Sequence, residues 1–103
     1  MLLIREVMHC KPGKVRPMVE KFLAMAKIGG RSGMGKMRIL TDVSAERYWT
    51  VVAEIEVPSL EAFEAMAAGA GQSEADTRAF EDIMKGYHDL VDVGRREIYR
   101  IEG

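Results

Sequence analysis

The chain of 103 residues has a single cysteine, Cys10, which cannot close an intrachain disulfide or furnish a cysteine-rich zinc cage. That usage is typical of a reducing compartment, so the protein reads as cytoplasmic. Long apolar runs are missing as well. Met1-Leu2-Leu3-Ile4 is interrupted at Arg5, too short for a signal-peptide core, and no stretch approaches the about eighteen apolar residues of a membrane span. Nor is there an excess of one charge: fifteen Lys and Arg stand against sixteen Asp and Glu, a net charge of −1, which removes the bulk electrostatic reason to expect nucleic acid or an anionic membrane as partner. Histidine is scarce. His9 adjoins Cys10, so strand alternation sends the two to opposite faces, and no further ligand stands at a metal-binding spacing; no metal site and no cofactor is assigned. What remains is 48% apolar and 30% charged side chains, enough for one small core and one domain spanning residues 1–103.

Turn and periodicity signals divide the chain into six regions. Leu2 to His9 reads as a strand, stopped by the turn chemistry of Lys11-Pro12-Gly13-Lys14. From Val15, the apolar positions Met18, Val19, Phe22, Leu23 and Ala26 form a helical stripe, expected to end where Gly29, Gly30, Gly33 and Gly35 crowd together. Met37–Val43 and Arg47–Val57 read as two strands joined by a linker of hairpin length, Ser44-Ala45-Glu46, and therefore paired antiparallel. Pro58 ends that hairpin, Ser59 caps a short helix through Ala67, and Ser73 caps another, its stripe running through Phe80, Ile83, Met84, Tyr87, Leu90 and Val91. Gly94 closes it before a last strand, Arg95 to Ile101. The expected fold is α+β, a ferredoxin-like βαββαβ unit with its second helical region split and a four-stranded antiparallel sheet in the order 4-1-3-2.

Such a sheet carries helices on one face only. On the third strand, Trp49, Val51, Ala53, Ile55 and Val57 belong to the covered face, with Trp49 as a core anchor, and Tyr48, Thr50, Val52, Glu54 and Glu56 to the open one. Arg38, Leu40 and Asp42 share the open face, as do Leu3, Arg5, Val7 and His9; the alternation of strand four does not choose between its two sets. A domain of this size buries only about 60–65% of its unfolded surface, so leaving that half-apolar face wet forfeits stabilisation and invites association. A homodimer joined through the sheet faces follows, with Arg38, Leu40, Asp42, Thr50, Val52 and Glu54 at the interface. Glu54 and Glu56, without an aromatic pair, make the same face a poor RNA platform.

The strand leading into Lys11-Pro12-Gly13-Lys14, the hairpin ending in Glu56-Val57-Pro58-Ser59-Leu60-Glu61-Ala62-Phe63, and the closing Gly94-Arg95-Arg96-Glu97-Ile98-Tyr99 resemble the dimeric α+β barrel superfamily, in particular its NIPSNAP-like and antibiotic-biosynthesis-monooxygenase-like groups. The resemblance implies a homodimer whose two sheets form a barrel, with a cavity in each subunit between sheet and helices. It does not fix the chemistry, because the superfamily includes cofactor-free oxygenases, haem-binding and haem-degrading proteins, isomerases and members of unknown role.

The leading expectation is a small apolar or aromatic ligand held between sheet and helices by Trp49, Tyr87, His88 and Tyr99, and cofactor-free oxygenation of it. His9 would then act as general base towards a phenol or enol, with Tyr48 or Arg5 positioning the oxyanion. Two alternatives stand beside it. His88, about 80° around the helix from Phe80, suggests haem binding, though haem-degrading relatives also use an asparagine and this chain has none. A non-catalytic dimeric accessory protein is the other. Arg5, Arg38, Arg96 and Arg100 oppose Asp42, Glu54 and Glu56, either as an anion pocket or as a salt-bridge network fixing register. Gly30-Arg31-Ser32-Gly33-Met34-Gly35-Lys36 matches a phosphate loop up to its lysine, but Met37 replaces the required Ser or Thr and the segment leads from helix to strand, so it reads as a connection.

Overall fold

Four strands account for the frame of the computed structural model, which describes residues 1–31 and 35–103. The elements are β1 (Leu2–Cys10), α1 (Val15–Arg31), β2 (Met37–Thr41), β3 (Thr50–Val57), α2 (Leu60–Ala67), α3 (Glu74–Met84) and β4 (Val91–Arg100), with a 3-10 turn at Tyr87–Asp89 before the last strand. The sheet order is β2-β3-β1-β4, the expected 4-1-3-2 read from the other edge. Every pairing is antiparallel. Val7 stands opposite Val52 of β3 and Arg95 of β4, and Leu40 of β2 lies opposite Val52.

Alternation in the strands decides where the core lies. Met18, Val19 and Phe22 of α1 pack on Cys10, Val51 and Ala53, while Ile4, Ile55 and Val57 form a second cluster with Leu2 and with Phe63 and Met66 of α2. Ile4, Met18, Val51 and Val57 are fully buried, and at about 1.5–3 kcal/mol for a large apolar side chain they anchor helix to sheet. Ser59 and Ser73 cap their helices as expected, accepting from the backbone N–H of Ala62 and Asp76 at 3.1 and 3.0 Å. At its far end α3 is tied down by Lys21, whose Nζ donates to the carbonyls of Ile83 and Lys85 at 2.7 and 2.9 Å. A cation there offsets the negative end of the helix dipole.

Several boundaries differ from the sequence expectation. α1 runs through Gly29 and Gly30 to Arg31, because Ile28 and Gly29 are buried and extend the apolar stripe, which outweighs a glycine penalty of about 1 kcal/mol each. The glycine-rich segment's reading as a connection falls partly on residues 32–34, which lie outside the described residues. β3 begins at Thr50 rather than Arg47, and residues 42–49 form a longer loop than the hairpin linker, because Trp49 adopts a left-handed conformation (φ 61°) that no strand contains. Finally, α3 stops at Met84 and the chain turns at left-handed Gly86 (φ 83°), so that Leu90 and Val91 meet the core from the 3-10 turn and β4 instead of a continuous helix.

Gly94 therefore lies inside β4 rather than ending a helix. A Cβ there would meet Met8 Sδ at 2.8 Å, so the glycine makes room for the methionine on the neighbouring strand. Among the described residues no helix is long and apolar enough to cross a membrane.

Candidate functional site

The open face of the sheet carries two rows that cross all four strands. The first is Arg38–Glu54–Arg5–Glu97, read from β2 to β4, and the second is Leu40–Val52–Val7–Arg95. Glu54 retains only 7% of its exposure, yet no helix covers it. It is closed in by its neighbours: Arg38 reaches one carboxylate oxygen at 2.6 Å and Arg5 the other at 3.0 Å. Arg5 also reaches Glu97 at 3.4 Å, and Arg95 donates to the other Glu97 oxygen at 2.7 Å. The Arg95 hydrogen bond holds the Glu97 carboxyl below the usual carboxylate range despite partial desolvation.

His9 ends this face beside β3. Thr50 Oγ1 donates to the Arg47 carbonyl at 2.8 Å, so it accepts from His9 Nδ1–H at 3.1 Å. That leaves Nε2 with the lone pair, and Arg95 donates to it at 2.9 Å. Burial, then the charges of Arg47 and Arg95, push the histidine pKa below its ordinary value of 6.5, so it is neutral at neutral pH. The imidazole is a fixed acceptor whose lone pair is already engaged. Cys10, next along the strand, points into the core, and burial raises its thiol pKa.

Trp49 is the second centre. The sequence expectation made it a core anchor, and the structure corrects this: the indole is 44% exposed because the left-handed backbone turns it out of the covered face. Its carbonyl accepts from Cys10 N–H at 2.8 Å, which pins the loop to β1, and Asp42 Oδ1 accepts from Thr50 N–H at 2.8 Å, which fixes the next residue. The indole walls two adjoining grooves. One, of about 540 Å³, lies between the start of α1 and the end of β2 and is lined by Val15, Arg16, Thr41, Asp42, Tyr48 and Trp49. The other, of about 680 Å³, continues around Trp49 and Tyr48 past Cys10 and Pro12 to Asp92. Both volumes suit a small organic molecule.

No family model matches the sequence, and no curated protein matches it significantly. Solved structures do match. A protein from Agrobacterium tumefaciens, 13% identical, covers 97% of this chain and 92% of its own length with a TM-score of 0.76. An uncharacterised NIPSNAP-like domain protein from Burkholderia xenovorans, also 13% identical, covers 99% and 85% with a TM-score of 0.75. The chain has a NIPSNAP-like fold. A second NIPSNAP domain protein of the same organism, 14% identical, covers 100% of the chain and 96% of its own with a TM-score of 0.68. Identities this low carry the fold, and leave the chemistry to the side chains.

In this NIPSNAP-like frame the residues singled out from the sequence fall into separate places. Arg5 belongs to the charged row, His9 to the Thr50–Arg95 chain, and Tyr48 extends into solvent, 83% exposed, beside Trp49. Tyr87 stacks on His88 with ring centroids 4.0 Å apart, against a groove at the β4 edge of about 340 Å³. Tyr99 lies on the open face, its hydroxyl donating to Glu97 at 3.2 Å. Trp49, Tyr87 with His88, and Tyr99 thus border three different surfaces. Among the described residues, no three His, Cys, Asp or Glu side chains converge as a metal site.

Two open-face residues were not among the sequence candidates, Arg95 and Glu97, because the alternation of strand four is undecided when both sets mix charge with an apolar residue. Their register opposite Val7 and Arg5 assigns them. The same register removes Arg96 from the open-face charges: it pairs with Glu6 on the helix side, its guanidinium 4.9 Å from the Phe63 ring centroid.

Proposed function

We propose that this chain is a cytoplasmic homodimer that binds a small aromatic molecule with an acidic oxygen substituent in the groove beside Trp49. The observation that carries the reading is the conformation of Trp49. A bulky residue at φ 61° costs about 1–2 kcal/mol relative to glycine, and the cost goes to holding an indole half in water at the common wall of two grooves. A loop serving only as a connection has no use for that residue there. The flat apolar wall suits an aromatic ring, and the exposed Arg16 guanidinium with the Thr41 hydroxyl at the rim suits a phenolate or carboxylate.

The homodimer is supported by the open face itself. Leu40 and Tyr99 remain 39% and 51% exposed on it with Leu3 half-buried, apolar surface that a second copy would cover, while Val7, Val52 and Glu54 are already buried within the single chain. A catalytic extension, cofactor-free oxygenation with His9 as base, would need the substrate on the open face instead, because His9 lines neither groove and carries its lone pair on Nε2. A substrate proton reaches that nitrogen only after Arg95 moves away.

Trp49 is the only tryptophan, so its emission reports the groove directly. Titration with phenols, quinols and anthrones is expected to quench or shift that emission and to raise the melting temperature, with the melting effect lost in Trp49→Ala. A panel that leaves both signals unchanged at millimolar concentration removes the ligand reading. Light scattering is expected to give twice the 11.5 kDa chain mass. Oxygen uptake with quinols or anthrones that survives in His9→Ala takes that residue out of the reaction.

A further inference from the structure

Trp49 walls two grooves of unlike character, and the aromatic ligand proposed above occupies only one of them. The groove between the start of α1 and the end of β2 offers Val15 and the indole as apolar surface, with Arg16 and Thr41 at its rim. The second, at about 680 Å³ the larger, continues from the same indole past Tyr48 to a polar end that carries Ser44, Glu46, Arg47 and Asp92. We infer that the ligand has two parts, a phenolic ring in the first groove joined to a neutral polyhydroxylated group, a sugar, in the second. This inference rests on the ligand reading above and names the other half of the molecule.

The charges around the second groove select the tail. Glu46 and Asp92 are carboxylates and Arg47 is a guanidinium, and among the described residues none of the three enters an ion pair. An ammonium tail would meet Arg47, and a carboxylate tail would meet Glu46 and Asp92, so a tail of either sign brings repulsion with it. A sugar hydroxyl is donor and acceptor at once. It donates to a carboxylate oxygen and accepts from a guanidinium N–H, while the Ser44 hydroxyl can meet it in either sense. A neutral polyol therefore uses every polar group that this end of the groove presents and opposes none, and its hydroxyls replace water on those groups like for like.

The aromatic residues fit the same ligand. Tyr48 is 83% and Trp49 44% exposed, and both border both grooves. Aromatic rings there stack on the phenolic ring in one groove and give the C–H face of a pyranose an apolar surface in the other. The frame that carries them is fixed before any ligand arrives. Thr50 Oγ1 donates to the Arg47 carbonyl at 2.8 Å, Cys10 N–H donates to the Trp49 carbonyl at 2.8 Å, and Lys11 N–H donates to the carbonyl of Leu90, two residues before Asp92, at 2.9 Å. Such ties spare the ligand much of the cost of ordering the loop.

Calorimetric titration with a matched set of phenols tests this. Hydroquinone monoglucoside carries the sugar, 4-methoxyphenol replaces it by a methyl group, and tyramine and 4-hydroxyphenylacetate replace it by a cationic and an anionic tail. The glucoside is expected to bind at least about tenfold more tightly than 4-methoxyphenol, the gain of a hydrogen bond or two to charged groups, and neither charged tail is expected to match it. Glu46→Gln and Asp92→Asn, both at exposed positions, are each expected to weaken the glucoside about threefold more than they weaken 4-methoxyphenol. Circular dichroism checks that each variant is folded; should one not fold, the four phenols compared on the wild-type protein decide the question. A glucoside no tighter than 4-methoxyphenol, a charged tail that gains as much, or folded variants that affect both ligands equally overturn the sugar and leave the aromatic ligand standing. Four phenols that all fail to bind at millimolar concentration overturn both.

Discussion

Replacing Glu54 by glutamine keeps the shape of the side chain and removes its charge, and it isolates what the carboxylate contributes to the sheet. Two guanidinium contacts, at 2.6 Å to Arg38 and 3.0 Å to Arg5, lose their anionic partner. A hydrogen bond to a charged group is worth about 1.5–3 kcal/mol. Breaking a fully buried pair costs about 3–5 kcal/mol, but these arginines are not fully buried: the side chains of Arg38 and Arg5 are 63% and 31% exposed, and Arg5 keeps Glu97. Water therefore recovers part of the loss, and the expected destabilisation is about 2 kcal/mol. For a domain of about 100 residues that corresponds to a fall in melting temperature of roughly 10 °C. Urea denaturation followed by circular dichroism measures it, at matched protein concentration so that self-association does not differ between the samples compared. An unchanged slope with a lower midpoint is expected. A loss below about 0.5 kcal/mol is the range of an ordinary surface substitution, and it would refute the claim that the face is organised around this carboxylate.

His9 is held neutral, its pKa below 6.5, so the folded state binds fewer protons than the unfolded chain at mildly acidic pH. Its contribution to stability is complete above about pH 6.5 and is lost as the pH falls from there towards the lowered folded value. Denaturation midpoints recorded downwards from pH 7 are expected to fall more steeply for wild type than for His9→Gln, and parallel curves would contradict the Arg95–His9 contact. Gly94→Ala places a Cβ against Met8 Sδ and is expected to cost about 1 kcal/mol or more, with Met8→Ala in the same chain removing most of the added penalty. Additive effects of the two substitutions in a thermal melt would show that Met8 does not require the glycine.

Where one physical signal dominated a segment, the sequence was sufficient to place it. Val51, Ala53, Ile55 and Val57 alternate with Thr50, Val52, Glu54 and Glu56, and that alternation orients the sheet, because a one-residue slip would put both glutamates into the helix-covered core. Leu3, Arg5, Val7 and His9 follow by pairing with it. β4 was harder for a physical reason. It is an edge strand, most of its residues are exposed, and neither of its faces is apolar enough to declare itself, so only its register against β1 decides that Glu97 and Tyr99 share the open face. Gly94 misleads for a related reason: a glycine is a stop signal in isolation, whereas here its missing side chain is the space that Met8 fills.

The candidate site was less legible because it depends on a conformation that local preference argues against. Tyr48-Trp49-Thr50-Val51-Val52 has the composition of an uninterrupted strand, and β propensity alone carries the strand back to Arg47. The long-range contacts Cys10 N–H to Trp49 carbonyl and Thr50 N–H to Asp42 carboxylate hold the turn instead, and neither is encoded within the segment it bends. Local and tertiary instructions conflict at Trp49, and such a conflict persists in a folded protein only where the surrounding contacts enforce it. It coincides with the one tryptophan of the chain and with the wall of both grooves. The charged row is the opposite case, each residue unremarkable and each pairing ordinary. Its information lies in the order of signs across four strands that are distant in sequence, which is why it emerges only once the sheet is assembled.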